Sequence, residues 1–249
     1  MTQLSIHPLG GIPEVGPGDP LAELIHDALG RERLQLQASD VVVVTQKIVS
    51  KAEGRLLSLR DVVPSERALQ LAREVQFDAR HVEVILRESV RLVRKAPRVL
   101  ITETPQGLVC ANSGVDRSNA GDAEQVVLLP EDADRSAADL RSALARLTGV
   151  SPGVVISDSF GRPWREGQVN VAIGAAGITA LRDYRGQSDP EGYELQGSVL
   201  AVADELASAA ELVMGKLDRV PAALIRGASF VGEENAGMLL RDPSTDLFR

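Results

Sequence analysis

VVVVTQKIV, residues 41–49, is β-branched and almost unbroken in its apolar character. A half-exposed strand alternates apolar with polar residues, whereas one covered on both faces does not. The segment therefore predicts a central strand with packing on either side, ending at Ser50 and Lys51. Upstream, Asp19 and Pro20 precede LAELIHDAL, which places Leu21, Leu24, Ile25, Ala28 and Leu29 on one face. An acid at the N-cap and a proline at the first helical position predict a helix there. Downstream, helices are expected over 65–77 and 79–93, followed by a hairpin in RVLITETPQGLVCANSG that turns at Pro105, Gln106 and Gly107. A strand near 126–130 and a helix over 136–147, stopping at Gly149, come next.

VVISDSFGRPWREG, residues 154–167, predicts a buried strand ending at Ile156, with Ser157, Asp158 and Ser159 carried into a loop broken by Gly161 and Pro163. QVNVAIGAAGI continues as strand into a turn of small residues, 199–214 reads as a long apolar helix, and 221–229 as a late strand. Hairpins interleaved with strand-helix-strand units give an α/β class of the mixed α+β kind, a mixed β-sheet with packed helices. Residues 1–249 are expected to form a single domain; 130–136 and 186–192 are expected as surface loops, the former as the place where two subdomains would meet.

Of the 249 residues, 44% are hydrophobic and 25% charged, a globular balance, and with only 3% aromatic the core must be aliphatic. A net charge of −8 argues against wrapping nucleic acid, but a local cluster of lysine and arginine can still bind a small phosphate. The single cysteine, Cys110, forms neither an internal disulfide nor a thiolate zinc site, and no window has the apolar length to cross a bilayer. A cytoplasmic protein is expected.

Neither GxxxxGK[ST] nor GxGxxG occurs, and His7, His26 and His81 are scattered, the last two expected on helices facing solvent. The remaining chemistry belongs to oxygen. Asp116, in NSGVDRSN, and Asp158 both follow apolar strands and sit among hydroxyls, amides and glycines. Such carboxylates suit Mg²⁺ or Mn²⁺, and equally suit the capping of the turns that follow them. The two acids are 42 positions apart, so spacing does not decide between these readings. Lys47, Lys51 and Arg55 cluster at the exit of the central strand, where they could hold phosphate or be merely solvated. Arg162 and Arg165 flank Trp164, either a stacking face or a half-buried wedge. GGIPEVGPGDP is too rich in glycine and proline for a helix, which leaves its backbone amides for a ligand or makes it a rigid connection. Residues 212–219 end the last helix at Gly215 and could close a pocket.

Taken together, GGIPEV, VVVVTQKIVSKAEGR, NSGVDRSN, ISDSFGRPWREG, AVADELASAAELVMGK and the closing IRG resemble, in order and along nearly the whole chain, the GTP-dependent coenzyme F420-0:L-glutamate ligase family. The resemblance implies an intertwined homodimer of gamma-glutamyl-ligase-type fold, with GTP as co-substrate, two divalent cations to a site and a monovalent cation such as K⁺ as a further candidate. It implies a ligase that makes an acyl phosphate from GTP and a terminal carboxylate of coenzyme F420-0, which L-glutamate converts to an amide. Asp116 and Asp158 match metal-binding aspartates, Ser159 a position that ligates a second metal, and Lys51 a lysine of the active site. Ile12, Pro13, Glu14, Val15, Gln46, Lys47, Lys51, Asn119, Met214 and Lys216 match positions that meet the nucleotide. Some relatives continue into a nitroreductase-like domain; this chain stops at Arg249, so glutamylation alone is expected. A metal-dependent phosphohydrolase and a non-catalytic nucleotide-binding oligomer are the alternatives.

Overall fold

The computed structural model describes residues 3–118, 120, 122, 124–227 and 230–246. In chain order the strands are β1 (Ser5–Pro8), β2 (Val41–Thr45), β3 (Leu56–Ser58), β4 (Arg91–Ala96), β5 (Val99–Glu103), β6 (Val109–Ala111), β7 (Gln125–Val127), β8 (Gly153–Arg162), β9 (Arg165–Ala176), β10 (Leu181–Asp183), β11 (Val199–Ala201) and β12 (Ala222–Arg226). The α-helices are α1 (Leu21–Arg31), α2 (Gln46–Ala52), α3 (Glu66–Val75), α4 (Ala79–Arg87), α5 (Ala133–Thr148) and α6 (Val202–Met214).

β2 lies at the centre of a five-stranded sheet ordered β1-β12-β2-β8-β9, in which β2 and β8 run parallel and the other pairs antiparallel. Val42 and Val44 face a core built with α1 and α5, while Val41 and Val43 face a second core built with α6. This is the two-sided burial that an unbroken apolar strand predicts, and burying each valine contributes about 1.5–3 kcal/mol. A third cluster joins α3 and α4 to β5 and β7 through Leu71, Val75, Val82, Ile85, Leu100 and Val126. The mixed α/β class holds.

Several boundaries differ from the sequence reading. The central strand stops at Thr45, and 46–52 coils into α2 because Ile48, Val49 and Ala52 repeat at helical spacing. The helix expected over 79–93 ends at Arg87, and Val90, already bonded through its N–H to Glu103 O (2.8 Å), leads into β4. The last long helix begins at Val202, since 199–201 form β11 against β10. Asp19 does not cap α1; its carboxylate instead accepts the N–H of Gly16 at 2.7 Å. The loop expected at 130–136 is shorter: Glu131 and Asp132 are exposed in an irregular stretch, but Pro130 and Ala133 are buried, and α5 already starts at Ala133 with Asp132 as its cap. Gly186 and Gly192 do lie in an exposed turn region. His81 is buried at 3% exposure, stacked on Phe77 with ring centroids 4.8 Å apart, rather than facing solvent.

The largest correction concerns β8. It does not end at Ile156 but runs to Arg162, because β9 supplies partners for Ser157, Asp158, Ser159 and Phe160 and the chain turns only at Pro163 and Trp164. Trp164 has φ 58°, the left-handed backbone this position of a tight turn favours in glycine, and at 82% exposure it is no half-buried wedge. A bulge places Ile173 opposite no residue of β8, since Ile156 pairs with Gly174 and Ser157 with Ala172. β9 is an edge strand, and three of its outward backbone groups are met by side chains. Ala172 N–H donates to Asp204 (2.8 Å), Ala175 N–H to Asp134 (2.8 Å), and Asn170 O accepts from Ser208 (2.7 Å).

Candidate functional site

Among the described residues the only parallel pair in the central sheet is β2–β8, with Thr45 level with Ser157, and the carboxyl ends of such strands are where α/β sheets present ligands. Three groups of side chains gather at this end.

The first lies around Asp158. Asp116 is fixed by a backbone bridge to Val127, with N–H···O bonds of 3.0 and 2.8 Å in the two directions. Its carboxylate accepts Ser118 N–H at 2.7 Å and meets Lys47 Nζ at 2.7 Å; Lys47 also donates to Ser118 Oγ at 2.5 Å. Burial works to raise the Asp116 carboxyl, but the Lys47 ammonium and the Ser118 donors outweigh it and hold it below the usual aspartate value. Asp158 moves the other way. Burial pushes it up to about 6, the Asp116 charge adds to that, and Ser159 N–H (2.8 Å), Lys47 and Lys216 only partly offset it. The buried thiol of Cys110, pushed up to about 12 by burial and by the Asp158 charge, closes this side.

The second group lies on α2 and the glycine-rich loop before α1. Ile12 and Val15 are core residues, which leaves Pro13 and Glu14 exposed between them. Glu14 pairs with Lys51, whose side chain is only 7% exposed. Lys47 and Lys51 are four residues apart on α2 and so share a face, one toward Asp116 and the other toward Glu14. Gln46 is buried; its Oε1 accepts from Ser50 Oγ at 2.8 Å, while its Nε2 has no partner among the described residues. Arg55, for which phosphate holding and simple solvation were both open, is a structural clamp on Leu129 O, Glu88 and Glu131.

The third group is that of Ser159, which bonds to Asn170 at 2.7 Å and to Lys216. Lys216 also meets Glu211 at 3.3 Å. Met214 is fully buried in the α6 core, so only its backbone is at hand, and Gly215 ends the helix with φ 61° as expected. Asn119 lies outside the described residues. Asn170 and Glu211 were not singled out from sequence, although an amide in the buried half of VNVAIG and an acid one turn before Gly215 were visible anomalies.

Asp116 caps its own turn, as one of its two readings expects, and its carboxylate also meets Lys47. Two carboxylates close enough for one to raise the other, with hydroxyl neighbours and no thiolate or imidazole, fit a hard divalent cation that takes its remaining ligands from water or phosphate. Among the described residues, no three acid, histidine or cysteine side chains converge as a self-sufficient metal cage. Clefts of about 310 Å³ beside α5 and about 600 Å³ between α1 and α5 lie elsewhere, and neither is lined by Asp116 or Asp158.

A model of the F420-0:Gamma-glutamyl ligase family matches residues 11–227. A coenzyme F420:L-glutamate ligase of Methanopyrus kandleri is 48% identical over 99% of this chain and 98% of its own length. Proteins of the same name from Methanothermobacter thermautotrophicus and Haloarcula marismortui are 42% and 41% identical, each over 99% of this chain and over 99% and 96% of their own.

Proposed function

The chain belongs to the F420-0:gamma-glutamyl ligase family, and on that premise we propose that it joins L-glutamate to coenzyme F420-0 through an amide bond at the expense of GTP. The γ-phosphoryl group passes to a terminal carboxylate of the coenzyme precursor, the glutamate amine attacks the resulting acyl phosphate, and GDP and phosphate leave. One observation carries the reading: Asp116 and Asp158 converge from distant segments, with Lys47 and Lys216 acting on them.

Asp116 and Asp158 would hold the divalent ion, Mg²⁺ or Mn²⁺, and Ser159 would serve a second; K⁺ is a further candidate. When bound, such ions would supply charge neutralisation on the triphosphate. Lys47 and Lys51 hold phosphate oxygens, a local inversion of charge that a chain of net charge −8 needs to admit a polyanion. Gln46 Nε2 supplies a buried donor to the nucleotide. The backbone from Ile12 to Val15 and around Met214, together with Asn119, completes the nucleotide contacts. The protein works as a single-domain homodimer of the family's fold in the cytoplasm; among the described residues no helix is long and apolar enough to cross a membrane.

The test is one incubation with GTP, Mn²⁺, L-glutamate and coenzyme F420-0. A product heavier by one glutamyl residue, with glutamate-dependent GDP release, is expected. GTP turnover indifferent to glutamate would make the protein a phosphohydrolase, and binding without turnover would make it a nucleotide-binding module.

A further inference from the structure

Ser159 is a hydroxyl with one proton to give, and the structure shows where that proton goes. Its Oγ donates to Asn170 Oδ1 at 2.7 Å. Asn170 is 3% exposed, and its Nδ2 donates to Glu211 Oε2 at 2.9 Å. A carboxylate only accepts, so Glu211 dictates that the Asn170 nitrogen faces it and the oxygen faces Ser159. With its proton committed, Ser159 presents only lone pairs to the site. The group it meets there is a cation, the ammonium of Lys216, which Glu211 also holds at 3.3 Å. The backbone on either side is pinned as well, since Asn170 O accepts from Ser208 Oγ at 2.7 Å.

We propose that Asn170, oriented by Glu211, is a positioning residue that makes Ser159 an acceptor-only oxygen and thereby reserves this corner of the site for a cation. Lys216 fills that role in this structure, and a metal ion accompanying the nucleotide fills it in the loaded enzyme. The inference rests on the metal-dependent reading above. It differs from a packing role for Asn170, because packing would not care which way the hydroxyl proton points.

The experiment is a double-mutant cycle on Mn²⁺ binding, read by electron paramagnetic resonance of the unbound ion in the presence of GDP, with circular dichroism melts of each protein. Asn170→Ala is expected to weaken Mn²⁺ binding about 10-fold, the lower end of what the loss of a ligand's supporting partner does. Ser159→Ala is expected to weaken it by a similar factor, and Ser159→Ala with Asn170→Ala no further, because the second residue acts only through the first. If Asn170→Ala is unfolded by its melt, Asn170→Gln, which keeps the amide but moves it by one methylene, takes its place in the cycle. Unchanged Mn²⁺ affinity in the Asn170 variant, or a full additional loss in the double variant, overturns the proposal. Wild-type protein that binds no Mn²⁺ with GDP overturns the metal-dependent reading itself, and the two failures are thereby distinct.

Discussion

Asp40 stands just before β2 and Asp158 just past the last residue of β8 that pairs with β2, so the parallel pairing carries a carboxylate at each end. Asp40 is fully buried and saturated: Arg226 grips both oxygens at 2.9 and 2.7 Å, and Gln37 N–H donates at 2.9 Å. Asp158 accepts one N–H among the described residues, lies beside a second carboxylate and is pushed up to about 6 by burial and by that neighbour. The first acid is a fastener that ties β12 to the start of β2. The second keeps unmet demand for positive charge, the ordinary condition of a site built to receive it.

Substitutions at the two ends should separate activity from stability. Asp158→Asn is expected to lower kcat for glutamate-dependent GDP release about 1,000-fold with an undiminished melting temperature, because the repulsion with Asp116 disappears. A wild-type rate in that variant, with Mn²⁺ supplied, would remove Asp158 from the reaction. Arg226→Ala should do the reverse. Stranding the buried Asp40 charge is expected to destabilise the fold by about 3–5 kcal/mol in urea titrations, while GDP release per folded molecule stays near normal. Little change in the urea midpoint would show that Asp40 is not the fastener described.

Lys47→Met tests the site end more gently, with an expected loss of about 100-fold in kcat/KM for GTP and little change in stability, since partly exposed pairs contribute about 1 kcal/mol or less. The smallest effect concerns His81. Burial depresses its basicity and Arg117 adds to that, so the folded state disfavours the charged ring. Its contribution to stability is therefore complete above the unfolded histidine value near 6.5 and is lost as pH falls below it toward the folded-state value. Melting temperatures of the wild type should drop from pH 7 to pH 5 more steeply than those of His81→Gln; parallel curves would exonerate the ring.

Much of this is legible in the sequence. The four valines at 41–44 announced a strand with two dry faces, and NSGVDRSN and SDS announced acids in polar company. What misled was continuity. Ile48 and Val49 extend an apolar run whether the backbone is extended or coiled, so the change to α2 was invisible until helical spacing was weighed against it. Gly161 and Pro163 signalled a break after Ile156, but pairing with β9 at nine positions of β8 overrode that local preference. That Ser159 would answer to Asn170 and Glu211 was beyond reach, because which strand lies beside β8 is a property of the tertiary fold.

The plugged margin of β9 bears on how the molecule keeps company. Asp204, Asp134 and Ser208 occupy the backbone groups that a foreign strand would need, and Asp134 also accepts the N–H groups of Ala236 and Gly237 at 2.8 and 3.1 Å. Over 170–175 the sheet edge offers a poor template for lengthening, which guards a concentrated protein against edge-to-edge growth there. A joint between copies along that stretch would be made by side chains and shape rather than by backbone pairing.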